Sequence, residues 1–186
     1  MKKINQHVKN KLTILLTTSL VAILLFVTPL SAKEKTKHRH HHAHEHGSAQ
    51  LSIAFDGLKG RIELTSPADS IIGFEYVAKT AKDKETLMNA VKIFNDDFSK
   101  MVQIDSKLGC TFTVDSIEQK MESKSSKHSD FKANYNIVCL KNIIGSKIVF
   151  NFSKFDKLND VDVTIIADQL QKNFEISNKE ITVDLK

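Results

Sequence analysis

A dense run of histidines is the part of this sequence with the clearest capacity for chemistry. Six of the eight histidines lie between His38 and His46, and five of the six occupy every second position. Alternate side chains of an extended chain share one side, so neighbouring imidazoles can reach one ion. Neutral imidazole is a ligand for Zn, Cu and Ni, so the run predicts a metal-binding segment. Its candidate ligands are His38, His40, His41, His42, His44, Glu45 and His46.

Two simpler interpretations of the histidine run compete with metal binding. A solvated tail would only gain charge in mildly acidic solution, where imidazole titrates. A cloning tag would be an uninterrupted run, whereas Arg39, Ala43 and Glu45 interrupt this one. Because few other roles require so many imidazoles, we expect metal binding. These ligands suit Zn, Cu or Ni, and the residues alone leave the choice among the three ions open.

A second set of candidate ligands lies outside the run. His128 and Asp130 have the spacing that places both side chains on one face of a strand, as a ligand pair requires. Spacing alone favours a plainer interpretation, an exposed loop histidine beside an ordinary Asp. Glu75 follows an apolar segment and could add a carboxylate, although such a residue is more often a satisfied polar neighbour of a core aromatic ring.

The chain carries no recognisable catalytic motif. The sequence has no G-x-S-x-G, H-E-x-x-H, Walker or dinucleotide-binding pattern. A metal enzyme on His128, Asp130 and Glu75 would need three protein ligands and an open water position. Because the sequence has none of these catalytic motifs, we expect no enzymatic activity.

The N-terminus predicts export. Residues 1–32 contain four lysines and no acidic residue, with an uncharged stretch from Leu12 to Val27 and a small residue, Ala32, at the expected cleavage point, although Leu30 is larger than the usual residue at its position. A basic start, an apolar stretch and a small-residue exit are typical of a cleavable signal peptide. An uncleaved membrane anchor is the alternative. The apolar stretch is shorter than the roughly 20 residues of a spanning helix, which favours cleavage and no membrane insertion afterwards.

The basic charge of the chain belongs mostly to this segment. The full chain has 27 basic and 22 acidic residues, a net charge of +5. Removing the four lysines of residues 1–32 leaves 23 basic residues against 22 acidic ones, a net charge of +1. We therefore expect no nucleic-acid partner.

Cys110 and Cys139 are the two cysteines of the chain. An even pair in an exported domain predicts a disulfide, and a thiolate metal or redox site would favour a closer C-x-x-C spacing. Closing a loop of this size should contribute about 3–4 kcal/mol to the free energy of unfolding.

Hydrophobic periodicity predicts the elements that position these residues. Residues 48–55 and 61–65 alternate as a hairpin, and an amphipathic helix follows Thr80 as its N-cap. The apolar stripe of this helix is Leu87, Val91, Phe94, Phe98 and Met101. Further strands are predicted at 110–114, 131–140, 147–152, 161–166 and 180–185. The expected fold class is α+β, a mainly antiparallel sheet with one long amphipathic helix packed on it.

The predicted organisation has three parts. Residues 1–32 form the signal peptide, residues 33–47 a flexible His-rich metal-binding tail, and residues 48–186 a single α+β domain. The tail is polar and has no apolar periodicity, so it cannot bury a core.

Several parts of the chain form a recognisable combination: His46–Ala54, Ile62–Ala68, Gly73–Glu75, Cys110, His128–Phe131, Tyr135 and Cys139. Together they resemble the ZrgA-type family of periplasmic zinc-uptake proteins. The resemblance implies an exported periplasmic protein that binds zinc. It further implies that the protein buffers the ion or passes it to the solute-binding protein of an ABC-type zinc importer. It also adds weight to His128 and Asp130 as ligands.

Two departures from the family pattern reduce the number of predicted ligands in the folded domain, so the tail supplies most of them. The loop from Lys120 to Lys127 lacks the histidines that family members often carry there, and Tyr76 stands where many have histidine.

The alternative function is a pH-sensing interaction protein of the periplasm with no transport role.

Overall fold

The computed structural model describes residues 46–121, 123, 125–177 and 180–186. All of them belong to one compact unit, His41–Lys186. The predicted signal peptide lies outside the described residues, as does the predicted tail apart from His46 and Gly47. Within the described residues no helix is long and apolar enough to cross a membrane.

The described residues form nine strands, two α-helices and one 3-10 turn. The strands are β1 Ser48–Asp56, β2 Lys59–Pro67, β3 Val102–Ile104, β4 Thr111–Met121, β5 Ser129–Val138, β6 Lys147–Phe150, β7 Asp160–Ala167, β8 Leu170–Ser177 and β9 Ile181–Asp184. The helices are α1 Ala68–Ile72 and α2 Ala81–Met101, and the 3-10 turn is Ser106–Leu108.

The strands form two sheets. The larger has six strands in the order β4-β5-β2-β1-β7-β8, and the smaller has three in the order β3-β6-β9. β1 pairs antiparallel with β2 and parallel with β7, so the larger sheet is mixed. Side chains of β1 alternate between buried and exposed, and Leu51, Ile53 and Phe55 point into the core.

The predicted α+β class is wrong, because the described residues are mostly β and α2 is their one long helix. The prediction assumed one mainly antiparallel sheet and missed β3 and β8. β3 has only three residues, which is too few to show a period of its own. It forms because Val102 and its neighbours pair with β6, and such long-range pairing leaves no local signal.

The helix α2 begins with a capping box. The Thr80 side chain accepts a hydrogen bond from the Asp83 N–H, and the Asp83 carboxylate accepts one from the Thr80 N–H. Phe94 and Phe98 are buried on its inner face. The buried Tyr135 hydroxyl of β5 donates to the Phe94 carbonyl oxygen at 2.9 Å, and its ring stacks on Phe98. These contacts attach α2 to β5.

The predicted disulfide between Cys110 and Cys139 is confirmed. Cys110 precedes β4 and Cys139 follows β5, while Thr111 pairs with Val138 as the last pair of that ladder. The bond therefore closes one end of the β4–β5 hairpin. The opposite end carries His128 and Ser129.

Candidate metal-binding site

The Glu75 carboxylate lies between two histidines that are far apart in the sequence. Its Oε1 is 2.8 Å from His46 Nε2, and its Oε2 is 2.6 Å from His128 Nδ1. Both distances are within hydrogen-bond range. The side chains of His46, Glu75 and His128 are 59%, 33% and 51% exposed, so an ion can reach them from solvent. We call this group the His46–Glu75–His128 cluster.

The side chains of the cluster are of the types that bind zinc, but their nitrogen and oxygen atoms are closer together than the ligands of a zinc ion. Zinc binds imidazole nitrogen and carboxylate oxygen at about 2.0–2.2 Å, which separates neighbouring tetrahedral ligands by about 3.3 Å. The nitrogen–oxygen distances of 2.6 and 2.8 Å are shorter than that. The described residues contain no group of three or more His, Cys, Asp or Glu that could hold a metal ion as they stand. Zinc binding by the cluster would require its side chains to move apart.

His46 is held through the backbone of the following residue. The Gly47 N–H donates to the Ser70 hydroxyl at 2.9 Å, and its carbonyl oxygen accepts from the Asn159 N–H at 2.6 Å. Gly47 has a φ of +86°, which L-residues with side chains rarely adopt. A Cβ at this position would also lie 2.5 Å from Asn159 Nδ2. Glycine is therefore required at residue 47, and it fixes His46 at the start of β1.

Glu75 is held by two polar side chains from the β4–β5 hairpin. The Ser129 N–H and hydroxyl both donate to the Glu75 carbonyl oxygen, at 2.8 and 2.6 Å. The Gln119 amide donates to the Tyr76 carbonyl oxygen and to the Ser129 hydroxyl, each at 2.8 Å, and accepts from the Ala78 N–H at 2.9 Å. These bonds form the Gln119–Ser129 clamp, which orders the segment that carries the Glu75 carboxylate.

A second carboxylate faces the other nitrogen of His46. Asp69 Oδ2 is 3.6 Å from His46 Nδ1, and Asp69 Oδ1 is 3.1 Å from the Lys157 ammonium. The Asp69 side chain is about a quarter exposed. The His46 ring therefore lies between Glu75 on one side and Asp69 on the other.

Three of the predicted ligands, His46, Glu75 and His128, come together in the structure. Asp130 is buried at the start of β5, and its carboxylate lies 3.7 Å from the Lys132 ammonium. Its membership of a ligand set stays a prediction. The predicted ligands His38, His40, His41, His42, His44 and Glu45 lie outside the described residues.

Sequence reasoning missed Asp69, Gln119 and Lys157. Apart from Gln119 with Ser129, which are 10 positions apart, their contacts join residues 23 or more positions apart, such as Lys157 with Asp69 at a separation of 88. No local pattern reports contacts of that kind. Ser129 did have a signal, because it stands inside the His128–Asp130 motif.

A β-rich domain that holds two imidazoles on one carboxylate has the ligand chemistry of a zinc-binding protein. The match to a known family is more specific. Residues 43–185 match the ZrgA family of zinc uptake proteins, and the chain belongs to that family. The matched region contains the whole His46–Glu75–His128 cluster and both cysteines. A search of curated proteins gives no match.

Proposed function

We propose that this protein is an exported, zinc-binding accessory of the periplasm that buffers zinc or delivers it to the solute-binding protein of an ABC-type importer. Membership of a zinc uptake family supports the zinc-related part of this proposal. The Cys110–Cys139 disulfide also supports the proposal, because disulfides persist in oxidising compartments such as the periplasm, and residues 1–32 would direct the protein there. The role is that of a carrier rather than a catalyst.

The observation that carries the proposal is the convergence of His46 and His128 on the two oxygens of Glu75. Two imidazoles and a carboxylate provide three ligands of a type that zinc accepts, which leaves a fourth position for water or for a ligand from a partner. The exposure of the three side chains suits a site that must load and release its ion. A closed structural site with four buried protein ligands would exchange zinc slowly.

The histidine-rich segment has a complementary role in the proposal. His46 is both the last histidine of the run and a member of the cluster. Ions captured by the residues from His38 to Glu45 therefore arrive next to the cluster without leaving the chain. A tail alone should bind more weakly than the cluster, because ordering it costs conformational entropy.

Isothermal titration of the mature protein with zinc tests the proposed site. We expect Glu75→Gln to weaken the tightest zinc site at least tenfold, because the amide oxygen is a poorer zinc ligand than a carboxylate oxygen. Glu85→Gln, on the exposed face of α2, is the matched control and should bind like the wild type. Equal zinc affinity in both variants would remove the cluster from the mechanism.

The same titration measures how zinc affinity depends on pH and how strongly Cu and Ni compete with zinc. Zinc binding should weaken in acid, because protons compete for the imidazole nitrogens. Cu and Ni should also bind, and Cu should bind more tightly than Zn, as it does at nitrogen and oxygen ligands in general.

Delivery and buffering are distinguished by the rate of zinc transfer. A protein that delivers zinc passes it to the purified solute-binding protein faster than it loses zinc to a chelator. Equal rates in the two experiments would support buffering alone. If the wild-type protein binds no zinc at the start of either experiment, the whole proposal is contradicted.

A further inference from the structure

The geometry points to Asp69 as the residue that orients His46 for zinc, acting through the ring rather than on the metal. This inference rests on the proposed zinc function of the His46–Glu75–His128 cluster. It is carried by the position of Asp69 Oδ2, 3.6 Å from His46 Nδ1, on the opposite side of the ring from Glu75.

Zinc binding fixes which nitrogen of the His46 ring carries its proton. In the structure, Nε2 lies 2.8 Å from Glu75 Oε1, which is within hydrogen-bond distance. Zinc needs the lone pair of that same nitrogen. When zinc binds, a proton on Nε2 passes to water and Nδ1 takes one from water. The neutral ring then carries its single proton on Nδ1. The Nδ1 proton then faces Asp69, whose Oδ2 is an acceptor within a small ring movement of hydrogen-bond distance.

Metal-binding histidines commonly donate their second N–H to a carboxylate in this way. Such a bond fixes the tautomer and raises the basicity of the nitrogen that binds the metal. Asp69 provides this acceptor for His46.

The surroundings of Asp69 keep it in that position. Asp69 and Ser70 are neighbours in α1, and Ser70 accepts the Gly47 N–H at 2.9 Å. The same short helix therefore fixes both the backbone next to His46 and the acceptor for its ring. Lys157 engages Asp69 Oδ1 at 3.1 Å, which leaves Oδ2 turned to the imidazole. An ion pair on one oxygen also makes Asp69 a poorer direct zinc ligand than Glu75.

Zinc affinity of the mature protein with Asp69→Asn and Asp69→Ala tests the inference. We expect Asp69→Ala to weaken zinc binding about 10–100-fold, the usual effect of removing an outer carboxylate. Asp69→Asn should lose less, because its amide oxygen still accepts the Nδ1 proton. Asp56→Ala is the matched control, since Asp56 ends β1 on the side away from His46. It should bind zinc like the wild type.

Two spectroscopic readouts separate orientation from direct ligation and from a folding defect. Nitrogen NMR of the zinc-loaded wild type should show zinc on Nε2 of His46 and the proton on Nδ1. The visible spectrum of the cobalt-substituted Asp69→Asn protein should match that of the wild type, because the ligand set is unchanged. Both Asp69 variants should keep the wild-type circular dichroism spectrum.

Zinc on Nδ1 of His46 would overturn the inference, because that nitrogen would then have no proton for Asp69 to accept. A cobalt spectrum altered in Asp69→Asn would also overturn it, by making Asp69 a ligand. Unchanged zinc affinity in Asp69→Ala would also overturn it. The failure of the proposed function is distinguishable, because in that case Glu75→Gln leaves zinc binding unchanged as well. If Glu75→Gln weakens binding and Asp69→Ala does not, only the role of Asp69 fails.

Discussion

Replacing Gln119 by leucine should weaken zinc binding without touching any proposed ligand. The Gln119 amide makes three hydrogen bonds, to the Tyr76 carbonyl oxygen, the Ser129 hydroxyl and the Ala78 N–H. Leucine has a similar size and can make none of them. The backbone of Glu75 then keeps its two bonds from Ser129.

The magnitude follows from the number of bonds lost. A neutral hydrogen bond contributes about 1 kcal/mol net, and partial exposure of these groups reduces the total to about 2 kcal/mol. If zinc binding requires the ordered state of the segment, a loss of about 2 kcal/mol from that state weakens zinc binding by up to about 30-fold.

Competition with a chromophoric zinc chelator measures the affinity, and hydrogen exchange of the Ala78 amide measures the order of the segment. Gln103→Leu is the matched control, because the Gln103 amide donates only to the Lys100 carbonyl oxygen, at the end of α2. Faster exchange in Gln119→Leu with zinc affinity equal to the control would refute the link between the clamp and the site. Unchanged exchange would refute the clamp itself.

The remaining predictions concern the scaffold. Replacing Cys110 and Cys139 by serine should lower the free energy of unfolding by about 3–4 kcal/mol in a denaturant titration, and an unchanged midpoint would contradict this. Thr80→Ala should cost about 1 kcal/mol through loss of the cap. The N–H of Thr80 lowers the pKa of Asp83, so the stabilisation by Asp83 is present above its unfolded pKa and lost as pH falls through its folded pKa. Asp83→Asn should therefore destabilise near neutrality but not in strong acid. Burial raises the pKa of the Tyr135 phenol, so its absorbance should show no ionisation until alkali unfolds the protein.

The sequence predicted the elements that are stabilised by contacts between residues close together in the chain. The β1–β2 hairpin follows from strict alternation around the turn residue Gly57, which has the positive φ that such turns favour. The start of α2 follows from Thr80 and Asp83, three residues apart. The disulfide follows from the number of cysteines and the expected compartment.

The fold class could not be derived in this way, because it depends on pairings between distant strands. β1 and β7 lie side by side although more than 100 residues separate Ser48 from Asp160. β4 also extends to Met121, through residues that the polar composition had assigned to a loop. These residues form a strand because β5 pairs with them as far as Ser129.

The same distinction applies to the candidate site. His46, Glu75 and His128 could be proposed from residue type and from resemblance to a family. Their arrangement around one carboxylate could not, because Glu75 reaches His128 across more than 50 residues. Asp69 gave no signal, since an Asp at the start of a short helix is an ordinary residue on sequence grounds.

The central claim is that the folded domain holds zinc itself, through His46, Glu75 and His128. The most direct test is calorimetric zinc titration of the mature chain after all tail histidines before His46 are replaced by alanine. The replaced residues are His38, His40, His41, His42 and His44. The claim predicts that this variant binds one zinc ion per chain and that adding Glu75→Gln abolishes or strongly weakens that binding. Loss of all zinc binding on replacing the tail histidines alone would contradict it.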